Sequence, residues 1–138
     1  MTEILLSILA GVPWTIALTA ASLLIGTVAG AILCAMRLSG SALPRLASAG
    51  IILTFRSIPP IVWLIFIFFG IGTNLLPLSP FASGAIGLGL ITAATMAEIF
   101  RGAFAAIHPG QWEAARTLNL GRVSQMLDVI GPQVVRVA

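Results

Sequence analysis

Four residues set a charge or a backbone break against an apolar background. They are Arg56 and Pro59 in Arg56-Ser57-Ile58-Pro59-Pro60, and Glu98 and Arg101 in Glu98-Ile99-Phe100-Arg101. Charge inside a membrane is costly and marks function by default. Glu98 lies about 17 residues beyond Phe81, or ~26 Å at 1.5 Å per residue, close to one boundary of a ~30 Å hydrocarbon core. Two readings stay open for it. One is an i,i+3 pair at a helix end with Arg101 snorkelling. The other is a gate or pathway pair that repels or guides a charged solute. Pro59 and Pro60 remove backbone donors. They mark either a helix break of the kind that builds solute sites in transporters or a loop-to-helix junction with Pro in the first turn.

Other reactive groups are scarce. The single cysteine, Cys34, sits in an apolar run and reads as a small buried hydrophobe. The single histidine, His108, stands in a turn beside Pro109. The sequence holds no His/Cys/Asp/Glu cluster at metal-ligand spacing. It holds no lysine at all, and hence no glycine-rich phosphate loop ending in Lys. No catalytic, metal or cofactor residue is therefore assigned, and the chain is not read as an enzyme.

The elements that carry these residues follow from composition. The 138 residues are 59% hydrophobic and 8% charged, against about 25% charged in soluble domains. One domain, residues 1–138, is expected, and it is a membrane domain. The net charge of +3 does not indicate nucleic acid, because no basic stripe with interleaved aromatics exists. The start lacks a positively charged segment, so no cleavable leader is expected.

Residues 4–36 are free of charge, and a first span over 12–36 is predicted. Ala17, Ala21, Ser22, Gly26, Ala29 and Gly30 give it a line of small residues, with a GxxxG match at Gly26 and Gly30. Ser39-Gly40-Ser41 breaks the helix and Pro44 opens the next element. Leu43 to Phe55, interrupted by Arg45, reads as an interfacial helix leading into the second span. The uncharged stretch 57–97 is too long for one crossing. Gly70, Gly72, Asn74, Pro77, Ser79 and Pro80 divide it into spans over 60–76 and 81–99. Trp63, Phe66, Phe68 and Phe69 read as lipid-facing or core aromatics. All seven cations are arginines, and three crossings put every one on a single side. The positive-inside rule makes that side cytoplasmic and the N-terminus external.

After Ile107, His108-Pro109-Gly110 signals a turn. Gln111 to Leu120 reads as a helix, with Glu113 near its start and an i,i+3 partner in Arg116. Asn119-Leu120-Gly121 ends it, since Asn and Gly tolerate the left-handed conformation. A second helix runs from Arg122 to Ile130, limited by Pro132. The fold expected is all-α: about three transmembrane helices plus a cytoplasmic helix–turn–helix over 108–132.

Glu113-Ala114-Ala115 followed by Ile130 and Pro132 resembles the EAA loop of ABC-importer permeases. Ala97-Glu98-Ile99-Phe100-Arg101-Gly102 and His108-Pro109-Gly110-Gln111-Trp112 resemble the polar amino-acid branch of that family (histidine, glutamate, glutamine, arginine, opines). Arg56-Ser57-Ile58-Pro59-Pro60 is similar to an Arg-Gly-Thr-Pro-Leu segment of the same branch. The resemblance covers nearly the whole chain, with its motifs in the family's order. It implies a multi-pass subunit of the bacterial cytoplasmic (inner) membrane that forms part of a translocation path. It also implies a loop, Gly110, Glu113, Ala114, Ala115, Asn119, Gly121, Ile130 and Pro132, that docks on a cytoplasmic ABC ATPase. ATP would be bound and hydrolysed on that partner. A second permease subunit, identical or a sister chain, and an extracytoplasmic solute-binding protein complete the implied assembly in the lipid bilayer. Two departures stand out: the family usually has Gly at Asn119, and Leu at Gly131. The family core has five spans and this chain accounts for three, so a truncated permease is expected. The alternative from another class is a small structural or assembly membrane protein that docks a cytosolic partner. A gene neighbour encoding an ATPase favours the importer.

Overall fold

The computed structural model describes residues 1–72 and 76–137. Every regular element among them is helical. Helix α1, Thr2–Arg37, is 36 residues long, or ~54 Å at 1.5 Å per residue. It begins ten residues before the expected Val12 and runs straight through Pro13. A proline removes one backbone hydrogen bond; here Ile, Leu and Ala in the preceding turns keep the helix going. The helix stops where expected, with Leu38 N–H donating to the Cys34 carbonyl at 2.9 Å.

Helix α2, Ala42–Ser57, and helix α3, Pro60–Ile65, meet at a bend of 102°. Each of the two residues between them precedes a proline, and that position is pushed out of the helical region. Ile58 is extended (φ −105°, ψ 133°) and so is Pro59 (φ −54°, ψ 140°). Pro60 then occupies the first turn of α3, where its missing N–H costs nothing. A π-helical stretch, Phe66–Gly72, continues α3. Within the expected second span, 60–76, the described residues are helical from Pro60 to Gly72, and Asn74 lies outside the described residues. The described stretch, six residues in α3 and seven in the π stretch, is by itself shorter than the ~20 residues that cross a ~30 Å core. Helices α2 and α3 taken together are long and apolar enough, as a broken span or a re-entrant loop.

Helix α4, Pro80–Ala106, is 27 residues long and opens with the Ser79 hydroxyl accepting from Ala82 N–H at 3.2 Å. It outlasts the expected end at Ile99 because no breaker occurs before His108-Pro109. Both α1 and α4 are long and apolar enough to cross a membrane; the α2–α3 pair makes a third crossing if it counts as one.

Small residues hold these helices together. A Cβ built on Gly26 would lie 2.5 Å from Thr92 Cγ2, and one on Gly30 would lie 2.7 Å from Met96 Cβ. The predicted GxxxG pair is therefore the surface on which α1 meets α4. The approach is mutual, since a Cβ on Gly89 would lie 2.7 Å from Ile25 Cγ2. Between lipid-soluble helices, close backbone approach of this sort supplies the dispersion contact that water would otherwise drive. Cys34 is buried, as read from its apolar context. Ile52 of α2 is buried against Ala94 and Ala97 of α4 and Leu33 of α1, while Leu64 of α3 reaches Gly87. Helix α2 thus crosses the pair near one end and α3 follows α4 toward the other. Trp63 stacks on Phe55 at 4.4 Å, and Phe66 and Phe69 are exposed on the apolar surface.

Candidate functional site

The polar segment forms a hairpin packed on the end of α4. Helix α5, Pro109–Thr117, is capped by His108, whose Nδ1 accepts from Gly110 N–H at 3.1 Å. It ends three residues earlier than Leu120. Asn119 N–H donates to the Arg116 carbonyl at 2.9 Å and Leu120 N–H to the Ala115 carbonyl at 3.4 Å. This pair of bonds is a Schellman cap, which needs a left-handed residue after the helix. Asn119 supplies it at φ 52°, the one non-glycine residue with positive φ among those described. Gly121, also expected to turn left-handed, does not; its carbonyl instead accepts from Gln125 N–H at 2.9 Å and starts the next helix.

That second helix is continuous through Pro132, contrary to the limit expected there. It comprises α6, Arg122–Ser124, a π-helical stretch, Gln125–Ile130, and α7, Gly131–Val137. In an α-helix a proline ring collides with the carbonyl four residues back. The wider π turn just before Pro132 accommodates it, with Gly131 N–H reaching the Met126 carbonyl. A Cβ on residue 131 would stand 2.6 Å from that carbonyl oxygen. The glycine in place of the family's leucine therefore fits the local backbone instead of merely loosening it.

The hairpin's inner face is apolar. Ile130 and Val134 bury against Ala103 and Ile107 of the α4 end, with Trp112 alongside. Ala115 is 1% exposed and Ile130 0%. Gln133 ties the two arms, its Nε2 donating to Gln111 Oε1 at 3.1 Å. Glu113, Ala114 and Pro132 face outward, and Gly110 is half-buried. Glu113 does not pair with Arg116 as expected: among the described residues the ion pair is Glu98–Arg101. Two exposed side chains gain little by pairing once their lost freedom is counted, and Glu113 is left available.

Four of the charged and proline residues sit together at the same end. Arg101 Nε and Nη2 both donate to Glu98 Oε2, at 2.9 and 2.7 Å. Glu98, Arg56 and Arg37 line a cavity of about 370 Å³ beside the α2–α3 bend. Pro59 shapes the bend, while Arg101 is not among the residues lining the cavity and pairs with Glu98. Sequence reasoning missed Arg37 and Ser57 as members of this group. The available signal was that Arg37 closes the first span at the boundary where Glu98 closes the third.

Residues 22–138 match the family described as binding-protein-dependent transport system inner membrane component. The chain belongs to that family. A "Probable amino-acid ABC transporter permease protein" of Bacillus subtilis (strain 168) is 34% identical over 95% of this chain and 58% of its own length. An arginine transport system permease protein of Corynebacterium glutamicum is 36% identical over 89% of this chain and 43% of its own. A crystal structure of an amino acid ABC transporter with histidines superposes with a TM-score of 0.76 at 30% identity. It is matched over 95% of this chain and 64% of that one. The chain thus spans roughly half the length of these curated relatives. Both the hairpin and the cavity fall inside the region that matches this inner membrane family.

Proposed function

We propose that this chain is the membrane subunit of an ATP-driven importer for polar amino acids or related solutes. The observation that carries this reading is the hairpin: it has an apolar face fixed to α4 and an outward Glu113-Ala114, in a chain of the binding-protein-dependent family. Its relatives carry names of amino-acid permeases, which supports the solute class. The hairpin is the docking surface for a cytoplasmic ABC ATPase, through Gly110, Glu113, Ala114, Ala115, Asn119, Gly121, Ile130 and Pro132. ATP is bound and hydrolysed there and not on this chain. A second permease subunit and an extracytoplasmic binding protein complete the assembly. The arginine-bearing end lies in the cytoplasm and the N-terminus outside. Arg56, Pro59, Glu98 and Arg101 stand at the inner end of the path.

Because the hairpin's core lies on its other face, Glu113→Lys is expected to weaken ATPase docking without disturbing membrane insertion. Co-purification of the detergent-solubilised chain with the ATPase encoded beside its gene measures this. Undiminished recovery of the ATPase by the variant would remove the docking role from this loop.

A further inference from the structure

Charge is out of balance in the cavity beside the α2–α3 bend. Three charged side chains line it: Arg37, Arg56 and Glu98. Glu98 is neutralised by Arg101, whose Nε and Nη2 both donate to its Oε2. Arg56 is exposed and makes no hydrogen bond or ion pair among the described residues. Arg37 makes one contact, from Nη1 to the Arg45 carbonyl, at 3.5 Å, a length at which little hydrogen-bond energy remains. Two guanidinium groups thus share one concave space, and the one carboxylate there is already paired. The C-terminus of α2, at Ser57 in the same wall, adds about half a negative charge. The space stays net positive.

The cavity also opens on an apolar surface. Leu53 lines it and is exposed. Leu46 lies two turns earlier and Leu43 three residues before that, both exposed, so three leucines follow one face of α2. The other face is buried through Ser48 and Ile52. Helix α2 crosses the α1–α4 pair near the arginine-bearing end, and α3 leaves it at 102°. A helix packed on one side, leucine-lined on the other and flanked by Arg45 and Arg56 has the pattern of one lying along a membrane interface. A small soluble anion satisfies the arginines and leaves the leucines uncovered. An anionic phospholipid satisfies both. Its two unesterified phosphate oxygens accept from two guanidinium groups, and the Ser57 hydroxyl is a further donor in the same wall. Its acyl chains cover the leucines. A choline lipid carries its own cation toward the two arginines and is disfavoured. Basic pockets between membrane helices hold lipid head groups in this manner.

We propose that this cavity binds the phosphate of an anionic phospholipid. The phosphate sits on Arg37 and Arg56, and the acyl chains run over Leu53 and Leu46. The lipid thereby joins the end of α1 to the end of α2 and holds the bend at the membrane surface. Arg101 is a positioning residue: by pairing with Glu98 it removes the charge that would repel the phosphate. The inference needs only that the chain lies in a bilayer, and it stands apart from the importer reading.

Native mass spectrometry tests it. The full chain is released from mixed micelles holding equal amounts of phosphatidylglycerol and phosphatidylcholine, and the retained lipids are counted. Phosphatidylglycerol is expected to be retained about tenfold more, the scale of one charge-assisted hydrogen bond. The double variant Arg37→Gln/Arg56→Gln should bring the two lipids to parity. Arg116→Gln/Arg136→Gln removes the same net charge from exposed positions outside the cavity and should keep the tenfold preference. Arg56→Gln alone removes no hydrogen bond of the fold, so its reduced preference is not a folding defect. Parity in the wild type, equal loss in both double variants, or indifference to Arg56→Gln overturns the proposal. Millimolar inorganic phosphate is expected to leave the retained lipid unchanged. Displacement of phosphatidylglycerol by it would assign the site to a soluble anion and overturn the lipid as occupant.

Discussion

Asn119 carries the turn of the hairpin at φ 52°. Left-handed backbone costs most residues about 1–2 kcal/mol, and Asn less because its short amide bonds locally. Asn119→Gly should therefore leave the hairpin as stable as before or slightly more so. Asn119→Val should destabilise it by about 1–2 kcal/mol, since a β-branched side chain clashes at positive φ. Protection of the Thr117–Arg122 bonds from limited proteolysis reports the order of the three proteins. Equal cleavage of Asn119→Val and the parent would mean that the turn adopts another backbone. The sequence pointed to this residue directly, because Asn stands where a turn needed glycine. It did not reveal that Gly121, two residues on, has no such duty.

Helix contacts decide stability at the next scale. Gly26 and Gly30 let α1 lie against Thr92, Ala93 and Met96 of α4 with no room for a β-carbon. Gly11 in the same helix has nothing within 4 Å. Gly30→Leu is expected to force the pair apart at a cost of at least about 1–3 kcal/mol, the usual range for overpacking. Gly11→Leu should be silent. The melting temperatures of the two variants in one detergent make the comparison. Similar values would show that α1 and α4 do not meet on this face. GxxxG alone did not establish the contact, since small residues are common in any membrane helix. The partner face, Gly89 against Ile25 and Gly87 against Leu64, is visible only once the helices are packed.

At the scale of the whole chain, four arginines from three elements converge near one end of the α1–α4 pair. Arg37 reaches the Arg45 carbonyl, Arg37 and Arg56 share the cavity with Glu98, and Arg101 holds Glu98. Charge gathered in this way fixes orientation in a bilayer. With Cys34 replaced by Ala, Thr2→Cys should react with a membrane-impermeant maleimide from outside intact cells. Gly121→Cys should react only after the cells are opened. Labelling of Gly121→Cys from outside intact cells would take the hairpin away from any cytoplasmic ATPase, and labelling of Gly121→Cys alone would reverse the topology. Both positions are exposed, so lack of access within the fold does not mimic either result.

Several properties belong to the sequence alone. Uncharged stretches longer than a bilayer, arginines grouped between them, and the run from His108 to Pro132 were enough for an all-α membrane chain with a polar hairpin. Each rests on local composition or on near neighbours along the chain, so no packing was needed to read it. Tertiary structure decided what depends on distant residues meeting. The proline pair became a 102° bend because each proline excludes its predecessor from the helix, so α2 and α3 do not form one straight helix. Pro132 was absorbed by a π turn that Gly131 makes room for, so the hairpin's second helix runs on to Val137. The cavity shared by Arg37, Arg56 and Glu98 draws one residue from each of three helices. Their separation in sequence carries no information about that meeting; packing on the glycine face of α4 brings it about.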